Sequence, residues 1–167
     1  LTHLMHFAMH NETIVRARLA AGFLARTVAR IGHLRNANTL EGSKRNIAYH
    51  YDLGNAFYRA WLDPSMTYSS ALYQTSDMTL EEAQSAKYER ICELAELEPG
   101  ENILEVGCGW GGFAELAAGK YRCNVTGLTL SNEQHAYARE RLLLQGLHDR
   151  TDIVLRDYRH EEGQYDT

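Results

Sequence analysis

The chain has 167 residues, of which 44% are hydrophobic and 23% charged, and its formal net charge is -5. This length suits one domain with a sizeable core, and a composition with 2 prolines and 13 glycines excludes a disordered or fibrous chain. No stretch reaches the run of about 18 apolar residues that a membrane-spanning helix needs, and we expect no secretory signal. The odd number of cysteines (Cys92, Cys108 and Cys123) and the lack of a C-x-x-C pair favour a reducing, cytosolic setting over a disulfide framework or a zinc cluster.

Charge is distributed unevenly along the chain. Residues 1–48 carry seven basic and two acidic side chains, whereas the rest of the chain carries ten basic and twenty acidic ones. A basic head on an acidic body suits contact with an anionic partner, either nucleic acid or anionic lipid. A solvated helix face that pairs with the acidic body explains the same pattern, and charge alone does not choose between these interpretations.

Residues 1–46 are interpreted as a basic N-terminal helix followed by a linker. Apolar residues recur at helical spacing between Asn11 and Arg35, and Asn11 is a suitable N-cap. Residues 36–46 are polar, which is typical of a linker. Three histidines occur at spacings of three and four: His3, His6 and His10. They could form a weak metal site, but no acid or cysteine joins them, so we favour a frayed terminus.

Residues 47–100 are rich in aromatic side chains and are predicted to form a helical segment that caps the site of the following domain. A short helix is predicted over 55–62, ended by Asp63-Pro64. The run Thr79-Leu-Glu-Glu82 has the spacing of a capping box. It predicts a second helix from there to about Leu97, where a Pro-Gly pair ends the pattern.

Residues 101–167 alternate between strand and helix patterns. The predicted strands are Asn102–Val106, Asn124–Leu128 and Thr151–Leu155, and the predicted helices are Gly111–Ala118 and Asn132–Gln145. This alternation indicates a doubly wound parallel sheet with helices packed on its faces.

A glycine-rich turn, Glu105-Val-Gly107-Cys-Gly109-Trp-Gly111-Gly112, follows the first of these strands and opens a helix. Glycines there allow close backbone approach to a ligand, and the helix N-terminus offers free N–H groups. Gly107, Gly109 and Gly112 satisfy the dinucleotide fingerprint, but no acid follows the second strand to bind a ribose. Because Glu105 would repel a pyrophosphate, the turn favours the cationic cofactor S-adenosylmethionine over NAD.

Several motifs together resemble the cyclopropane fatty acid synthase family, which includes the mycolic acid cyclopropane synthases. The resemblance covers about residues 45–167. Besides the glycine-rich turn, it is carried by His50-Tyr-Asp-Leu-Gly-Asn-Ala-Phe-Tyr58, Trp61-Leu-Asp63, Met66-Thr-Tyr-Ser-Ser-Ala71, Leu80-Glu-Glu-Ala-Gln84, Val125-Thr-Gly-Leu-Thr-Leu-Ser131 with Gln134, and Asp157-Tyr-Arg159. It implies an α/β fold of the class I methyltransferase (Rossmann-like) type, with the N-terminal half of the doubly wound parallel sheet preceded by helices.

The resemblance also implies roles for individual residues. Gly107 and Gly109 are expected to lie along the methionine part of S-adenosylmethionine, next to Glu105. Tyr68 and Ser69 are expected to close over the cofactor from the preceding segment. The remaining cofactor contacts are expected from Thr129, Leu130 and Gln134 on the ribose and adenosine side, and from Tyr158 and Arg159 beside the adenine.

The implied reaction adds the cofactor's methyl carbon to a cis double bond of a phospholipid acyl chain, after which a bound bicarbonate removes a proton and the ring closes. Such chemistry needs a dry site with aromatic faces that stabilise positive charge, and residues 49–73 are dense in aromatic rings. The implied partners are the phospholipid membrane surface and unsaturated acyl chains, without nucleic acid. A cytoplasmic location at the inner membrane face and a homodimer are further expectations.

Two features depart from the family pattern. Ser70 stands where the family has a cysteine whose backbone helps to hold bicarbonate, and we assign Ser70 a catalytic role through its main chain. The family's other bicarbonate-holding residues and its fourth strand lie beyond Thr167, so we expect the first strand to be an unpaired edge. Plain methylation of a lipid or small molecule, or an inactive cofactor-binding fragment, are the alternative hypotheses.

Overall fold

The computed structural model describes residues 10–11 and 54–167. His10 is helical and Asn11 lies in a turn. The rest of the predicted N-terminal helix, the linker, His3 and His6 lie outside the described residues. The chain divides into two compact units, Leu1–Ser43 and Lys44–Thr167, and every element given below belongs to the second unit.

Two helices precede the sheet. Helix α1 spans Gly54–Arg59 and helix α2 spans Leu80–Leu94. The predicted capping box is confirmed, because the Thr79 side chain accepts from the backbone N–H of Glu82 and the Glu82 carboxylate accepts from the backbone N–H of Thr79.

Both helices end earlier than the sequence predicted. After α1, the chain leaves the helix in a turn in which the Leu62 N–H donates to the Tyr58 carbonyl at 2.9 Å. After α2, Glu96 takes a left-handed conformation with φ 51°, and the Leu97 N–H donates to the Cys92 carbonyl. This is a Schellman ending, so the predicted continuation to Leu97 and termination by the Pro-Gly pair are wrong.

The alternating region folds as predicted. Strands β1 (Asn102–Val106), β2 (Asn124–Thr129) and β3 (Thr151–Leu155) form a parallel sheet in the order β1-β2-β3. Helix α3 (Gly112–Gly119) connects β1 to β2, and α4 (Asn132–Leu144) connects β2 to β3. A single 3-10 turn, Tyr158–His160, follows β3.

Small side chains let the helices lie close to the sheet. The buried core includes Cys92, Ile103, Ala114, Ala117, Cys123, Val125, Ala138, Leu142 and Ile153. A Cβ on Gly127, in the middle of β2, would lie 2.7 Å from Ile153 Cδ1 and 3.0 Å from Cys108 Cβ. The three cysteines, Cys92, Cys108 and Cys123, are buried and free.

The outer edge of β1 differs from the expectation. The Asp166 N–H donates to the Asn102 carbonyl at 2.8 Å, and the Leu104 N–H donates to an oxygen of Thr167 at 2.9 Å. The first half of β1 is therefore paired on this side, and the prediction of an unpaired edge is wrong for that half. Within residues 54–167, no helix is long and apolar enough to cross a membrane.

Candidate cofactor-binding site

The glycine-rich turn leaves β1 at the carboxyl edge of the sheet. The N–H groups of Gly107 and Cys108 both donate to the Leu128 carbonyl at 2.9 Å, and the Gly111 N–H donates to the Cys108 carbonyl. Gly107, Gly109 and Gly111 have φ values of 81°, 54° and 82°. This left-handed backbone favours glycine, and it fixes the turn against β2 immediately before α3.

The glycines of the turn serve different purposes. A Cβ on Gly107 or Gly109 would meet no atom within 4 Å, so both positions face open space. A Cβ on Gly111 would lie 3.1 Å from Ala138 Cβ, and one on Gly112 would lie 3.1 Å from the Tyr88 hydroxyl. The first two glycines therefore border a space that can hold a ligand, and the latter two allow helix packing.

Glu105 is the residue of β1 whose side chain is unusual for a strand interior. Its Oε2 is buried and has no hydrogen-bond partner. Burial raises the pKa of this carboxyl to about 7, and the positive charge of Lys87 partly offsets the rise. A buried acceptor without a partner is costly, so this oxygen suits a donor or a cation supplied by a ligand beside the turn.

The end of β2 carries a polar pair in place of an acid. The Thr129 hydroxyl donates to Gln134 Oε1 at 2.9 Å and accepts from the Ser131 N–H at 3.2 Å. Ser131 caps α4 by accepting from the Gln134 N–H. Thr129 and Gln134 are each 5% exposed, and the Gln134 amide keeps N–H donors for a ligand on this side. Leu130, between them, is half-buried.

The segment between α1 and α2 is held in place by buried polar groups. The Asp63 carboxylate accepts from the N–H groups of Ser65 and Thr67, at 2.9 and 3.3 Å. Arg141 of α4 donates to the Ser65 carbonyl at 2.6 Å and pairs with Glu115 of α3. The segment is thereby bonded to α4 and, through Arg141, linked to α3, which follows the glycine-rich turn.

The predicted site residues of this segment are exposed at its far end. Tyr68 is 56% exposed. The Ser69 carbonyl accepts from the Gln84 amide at 2.7 Å, and its hydroxyl accepts from Lys87 at 2.6 Å. Ser70 is exposed and makes no hydrogen bond with any residue that the structure describes.

An aromatic cluster of Tyr58, Trp61, Tyr68 and Trp110 joins this segment to the turn. The Tyr58 ring lies 4.9 Å from the Trp110 ring and 5.8 Å from the Tyr68 ring, and Trp61 lies 5.6 Å from Tyr68. Tyr58 and Trp110 are 4% and 3% exposed. Tyr68 is thus in the same ring assembly as a residue of the glycine-rich turn.

Tyr158 and Arg159 lie after β3. The Arg156 N–H donates to the Thr129 carbonyl at 3.0 Å, so the 3-10 turn begins beside the end of β2. The Arg159 guanidinium donates to both carboxylate oxygens of Asp157, and these bonds lower the pKa of Asp157 to about 2. Tyr158 is 60% exposed, and a contact of this pair with adenine stays a prediction.

Sequence reasoning missed the residues that hold the site together. Four of them were not assigned roles, namely Gln84, Lys87, Asn55 and Trp110, although all but Lys87 lie in motifs that carried the family resemblance. Gln84 and Lys87 bond to Ser69, which is 15 and 18 residues away, and Asn55 and Trp110 are 55 residues apart, so no local pattern reveals these contacts. No group of three or more His, Cys, Asp or Glu residues within the described ranges is arranged to hold a metal ion.

The residues of this site lie within the part of the chain that matches a known protein family. A family model described as mycolic acid cyclopropane synthetase matches residues 38–167. The chain belongs to this family. The match includes the segment from α1 to α2, the glycine-rich turn and all three strands, and it confirms the resemblance carried by those motifs.

Two curated relatives show how much of a family member the chain represents. It is 45% identical over 122 residues to a "Probable fatty acid methyltransferase" of Pseudomonas putida, covering 72% of this chain and 31% of the relative. It is 46% identical over 117 residues to the cyclopropane-fatty-acyl-phospholipid synthase of Escherichia coli K12, covering 70% of this chain and 29% of that protein. The chain therefore spans less than a third of the length of either relative.

Solved structures confirm the fold class. The cyclopropane synthase MmaA2 of Mycobacterium tuberculosis superposes with a TM-score of 0.71 at 36% identity, over 74% of this chain and 43% of that one. The mycolic acid cyclopropane synthase CmaA1, complexed with SAH and CTAB, gives 0.71 at 37% identity over the same shares. Residues 54–167 thus form part of a class I methyltransferase fold.

Proposed function

We propose that the full-length protein transfers a methylene group from S-adenosylmethionine to the cis double bond of unsaturated phospholipid acyl chains. The observation that carries the cofactor assignment is the buried, unpartnered Glu105 oxygen beside open space at Gly107 and Gly109. A cation without phosphate fits this combination, because the carboxylate attracts it and the glycines leave room for it. Family membership and the E. coli relative's name support the acyl substrate.

Different residues of the site are proposed to bind different parts of S-adenosylmethionine. Gly107, Gly109 and Glu105 would hold the methionine portion, and Thr129 and Gln134 would hold the ribose side. Tyr68, Ser69, Leu130, Tyr158 and Arg159 would complete the cofactor contacts. When bound, the cofactor supplies an electrophilic methyl group.

The aromatic cluster would serve the acyl chain. An alkene is a weak nucleophile, and the cation it forms on methyl addition reacts with water, so the double bond must meet the cofactor in a dry environment. Trp61 and Tyr68 are 49% and 56% exposed and lie beside the buried Tyr58 and Trp110. Their faces can stabilise the passing positive charge and exclude water when an acyl chain covers them.

Loss of a proton from the substrate cation requires a base, and we propose bicarbonate. Ser70 has exposed donors without partners among the described residues, which suits one contact to a small anion. The membrane surface is the source of the substrate, and the proposed location is the cytoplasmic face of the inner membrane.

A second candidate is methyl transfer to an acyl chain without ring closure. The specific support is the Pseudomonas putida relative, whose name states fatty acid methyl transfer and not cyclopropane formation. Both candidates use the same cofactor site. They differ in which proton the substrate cation loses to the base: a proton from the transferred carbon, which closes the ring, or a proton from a neighbouring chain carbon, which leaves a methyl-branched alkene.

Isotope labelling distinguishes these candidates. Cells that express the full-length gene are grown with methionine carrying a trideuterated methyl group, and their acyl chains are analysed by mass spectrometry with fragmentation. Cyclopropanation retains two of the three deuterium atoms in a saturated ring, whereas a methyl branch retains all three. Unmodified acyl chains, together with intact cofactor binding by the purified protein, would contradict both candidates and favour a cofactor-binding protein without this activity.

A further inference from the structure

Lys87 interacts with two parts of the proposed cofactor site, the segment that carries Ser69 and the carboxyl of Glu105. Helix α2 presents Gln84 and Lys87 one turn apart, on the face toward Ser69. The Lys87 ammonium donates to the Ser69 hydroxyl at 2.6 Å and to Gln84 Oε1 at 2.7 Å. Gln84, 2% exposed, in turn donates to the Ser69 carbonyl at 2.7 Å. Three hydrogen bonds thus connect Ser69, Gln84 and Lys87 in a closed ring.

The same ammonium acts on the carboxyl of Glu105. Tyr88 of α2 and Cys108 of the turn also face Glu105, and burial raises the pKa of both, that of Cys108 to about 12. Both groups are therefore neutral near neutral pH. Partial burial lowers the pKa of Lys87, and the nearby carboxyl groups of Asp63 and Glu105 oppose this by favouring its charged form. Lys87 is the group whose positive charge favours the carboxylate form of Glu105.

We propose that Lys87 is a positioning residue that acts on two parts of the cofactor site, holding the hydroxyl of Ser69 by a hydrogen bond and favouring the carboxylate form of Glu105 by its positive charge. The proposal rests on the proposed function, because the cationic cofactor is what gives this carboxylate its role. A cofactor cation binds the ionised carboxylate better than the neutral acid. Lys87 consequently lowers the pH at which the Glu105 carboxyl ionises and can bind the cation, and it also holds the segment that carries Ser69.

The charge effect is tested without any ligand. Titration of the Glu105 carboxyl carbon is followed by NMR in the full-length protein, with Glu105→Gln for assignment. We expect a midpoint near 7 in the parent. Lys87→Met and Lys87→Gln should each raise this midpoint by about one unit, and Lys87→Arg should hold it within about half a unit. An unchanged midpoint in whichever neutral variant folds overturns the charge role.

The charge effect and the hydrogen-bond effect are separated by calorimetry with S-adenosylhomocysteine, which keeps the cofactor's ammonium group. At about pH 7, Lys87→Met should bind about fivefold more weakly through the charge effect, and this part of the deficit should vanish at about pH 9, where the carboxyl is ionised in both proteins. Ser69→Ala should weaken binding by a similar factor at both pH values, because it removes the anchor and leaves the charge. Equal loss at both pH values for Lys87→Met contradicts the proposal. Absence of binding by the parent overturns the proposed function, whereas the NMR midpoints test the charge role independently.

Discussion

The Trp110 indole N–H donates to Asn55 Oδ1 at 2.7 Å, which ties the glycine-rich turn to helix α1. Trp110 is 3% exposed and packs on the Tyr58 ring, so its N–H has little access to water. Asn55 also donates to Glu133 at 3.3 Å, at the start of α4. This one amide therefore connects α1, the turn and α4.

We predict that Asn55→Ala destabilises the protein by about 1–3 kcal/mol, because it removes the Asn55 partner of a buried indole N–H. Urea denaturation measures the change. The matched control is Glu133→Gln, which alters the exposed contact of Asn55 and should cost no more than about 0.5 kcal/mol. Equal effects of the two substitutions would show that the indole bond is not what holds α1.

Gly109 is expected to be required for cofactor binding because its missing side chain leaves the space beside the turn open. Gly109→Val should abolish binding of S-adenosylhomocysteine, and Gly109→Ala should weaken it strongly. Both also impose about 1–2 kcal/mol of backbone strain, since the residue has φ 54°.

A control separates strain from loss of space. Gly146 follows α4 with φ 69°, and a Cβ there meets nothing within 4 Å. Gly146→Ala should therefore lower the melting temperature about as much as Gly109→Ala while leaving cofactor binding intact. If the Gly109 and Gly146 variants bound S-adenosylhomocysteine equally well, Gly109 would not be part of the cofactor site.

Ser70 is predicted to act through its main chain. Because its side chain is exposed and makes no hydrogen bond with the described residues, Ser70→Cys should leave turnover of the full-length enzyme within about tenfold, a barrier change of about 1.4 kcal/mol. Ser70→Pro removes the N–H and should be far worse. Thermal melting checks that both variants fold, and similar turnover in both would contradict a backbone role.

The strand and helix pattern of residues 101–167 could be predicted because each element there carries its own signal. The glycine turn, the Ser131 cap and the apolar strand runs are local features, and all three strands lie where the pattern placed them. The end of α2 could not be predicted in this way. Glu96 adopts a left-handed conformation that sequence rules reserve for glycine or asparagine, and the Schellman hydrogen bonds offset its strain.

A site residue could be predicted from the sequence only where its chemical type and its position in a local motif both indicated a role. Glu105 was recognisable because a carboxylate beside a glycine turn is a poor neighbour for phosphate. The role of Lys87 depends on Ser69, which is 18 residues away, and that of Asn55 depends on Trp110, 55 residues away. Such pairs arise from how α1 and α2 pack, and one sequence carries no periodic signal for them.

The basic N-terminal segment carries a prediction that comes from sequence alone. Five arginines between residues 16 and 35 have no acid among them, and each basic residue near an anionic surface contributes about 1 kcal/mol of binding. Arg26→Glu with Arg30→Glu should weaken sedimentation with anionic vesicles, in a salt-sensitive way, and leave cofactor binding unchanged. A lower melting temperature or altered oligomer with unchanged vesicle binding would instead assign the segment to packing.

Glu105 links stability to pH with a definite sign. Its pKa in the folded chain is about 7, against 4.5 for the free group, so the folded state holds the proton more tightly than the unfolded state does. The stabilising contribution is complete below about pH 4.5 and is lost as the pH rises through about 7. Over the same interval the site gains the negative charge that attracts a cationic cofactor, so binding should strengthen while the free energy of unfolding falls.

Glu105→Gln tests both halves of this statement. At about pH 8 the variant should be more stable than the parent, by up to about 3 kcal/mol, and the advantage should disappear near pH 4.5. The same variant should bind S-adenosylhomocysteine more weakly at about pH 8 and lose most of the pH dependence of binding. Urea denaturation and calorimetry at both pH values provide the measurements, with the exposed Glu140→Gln as a control of equal charge change. If Glu105→Gln gained no stability at the higher pH, the carboxyl would be ionised at little cost in the folded chain. That result would contradict the assignment of Glu105 as the group that binds the cofactor's positive charge.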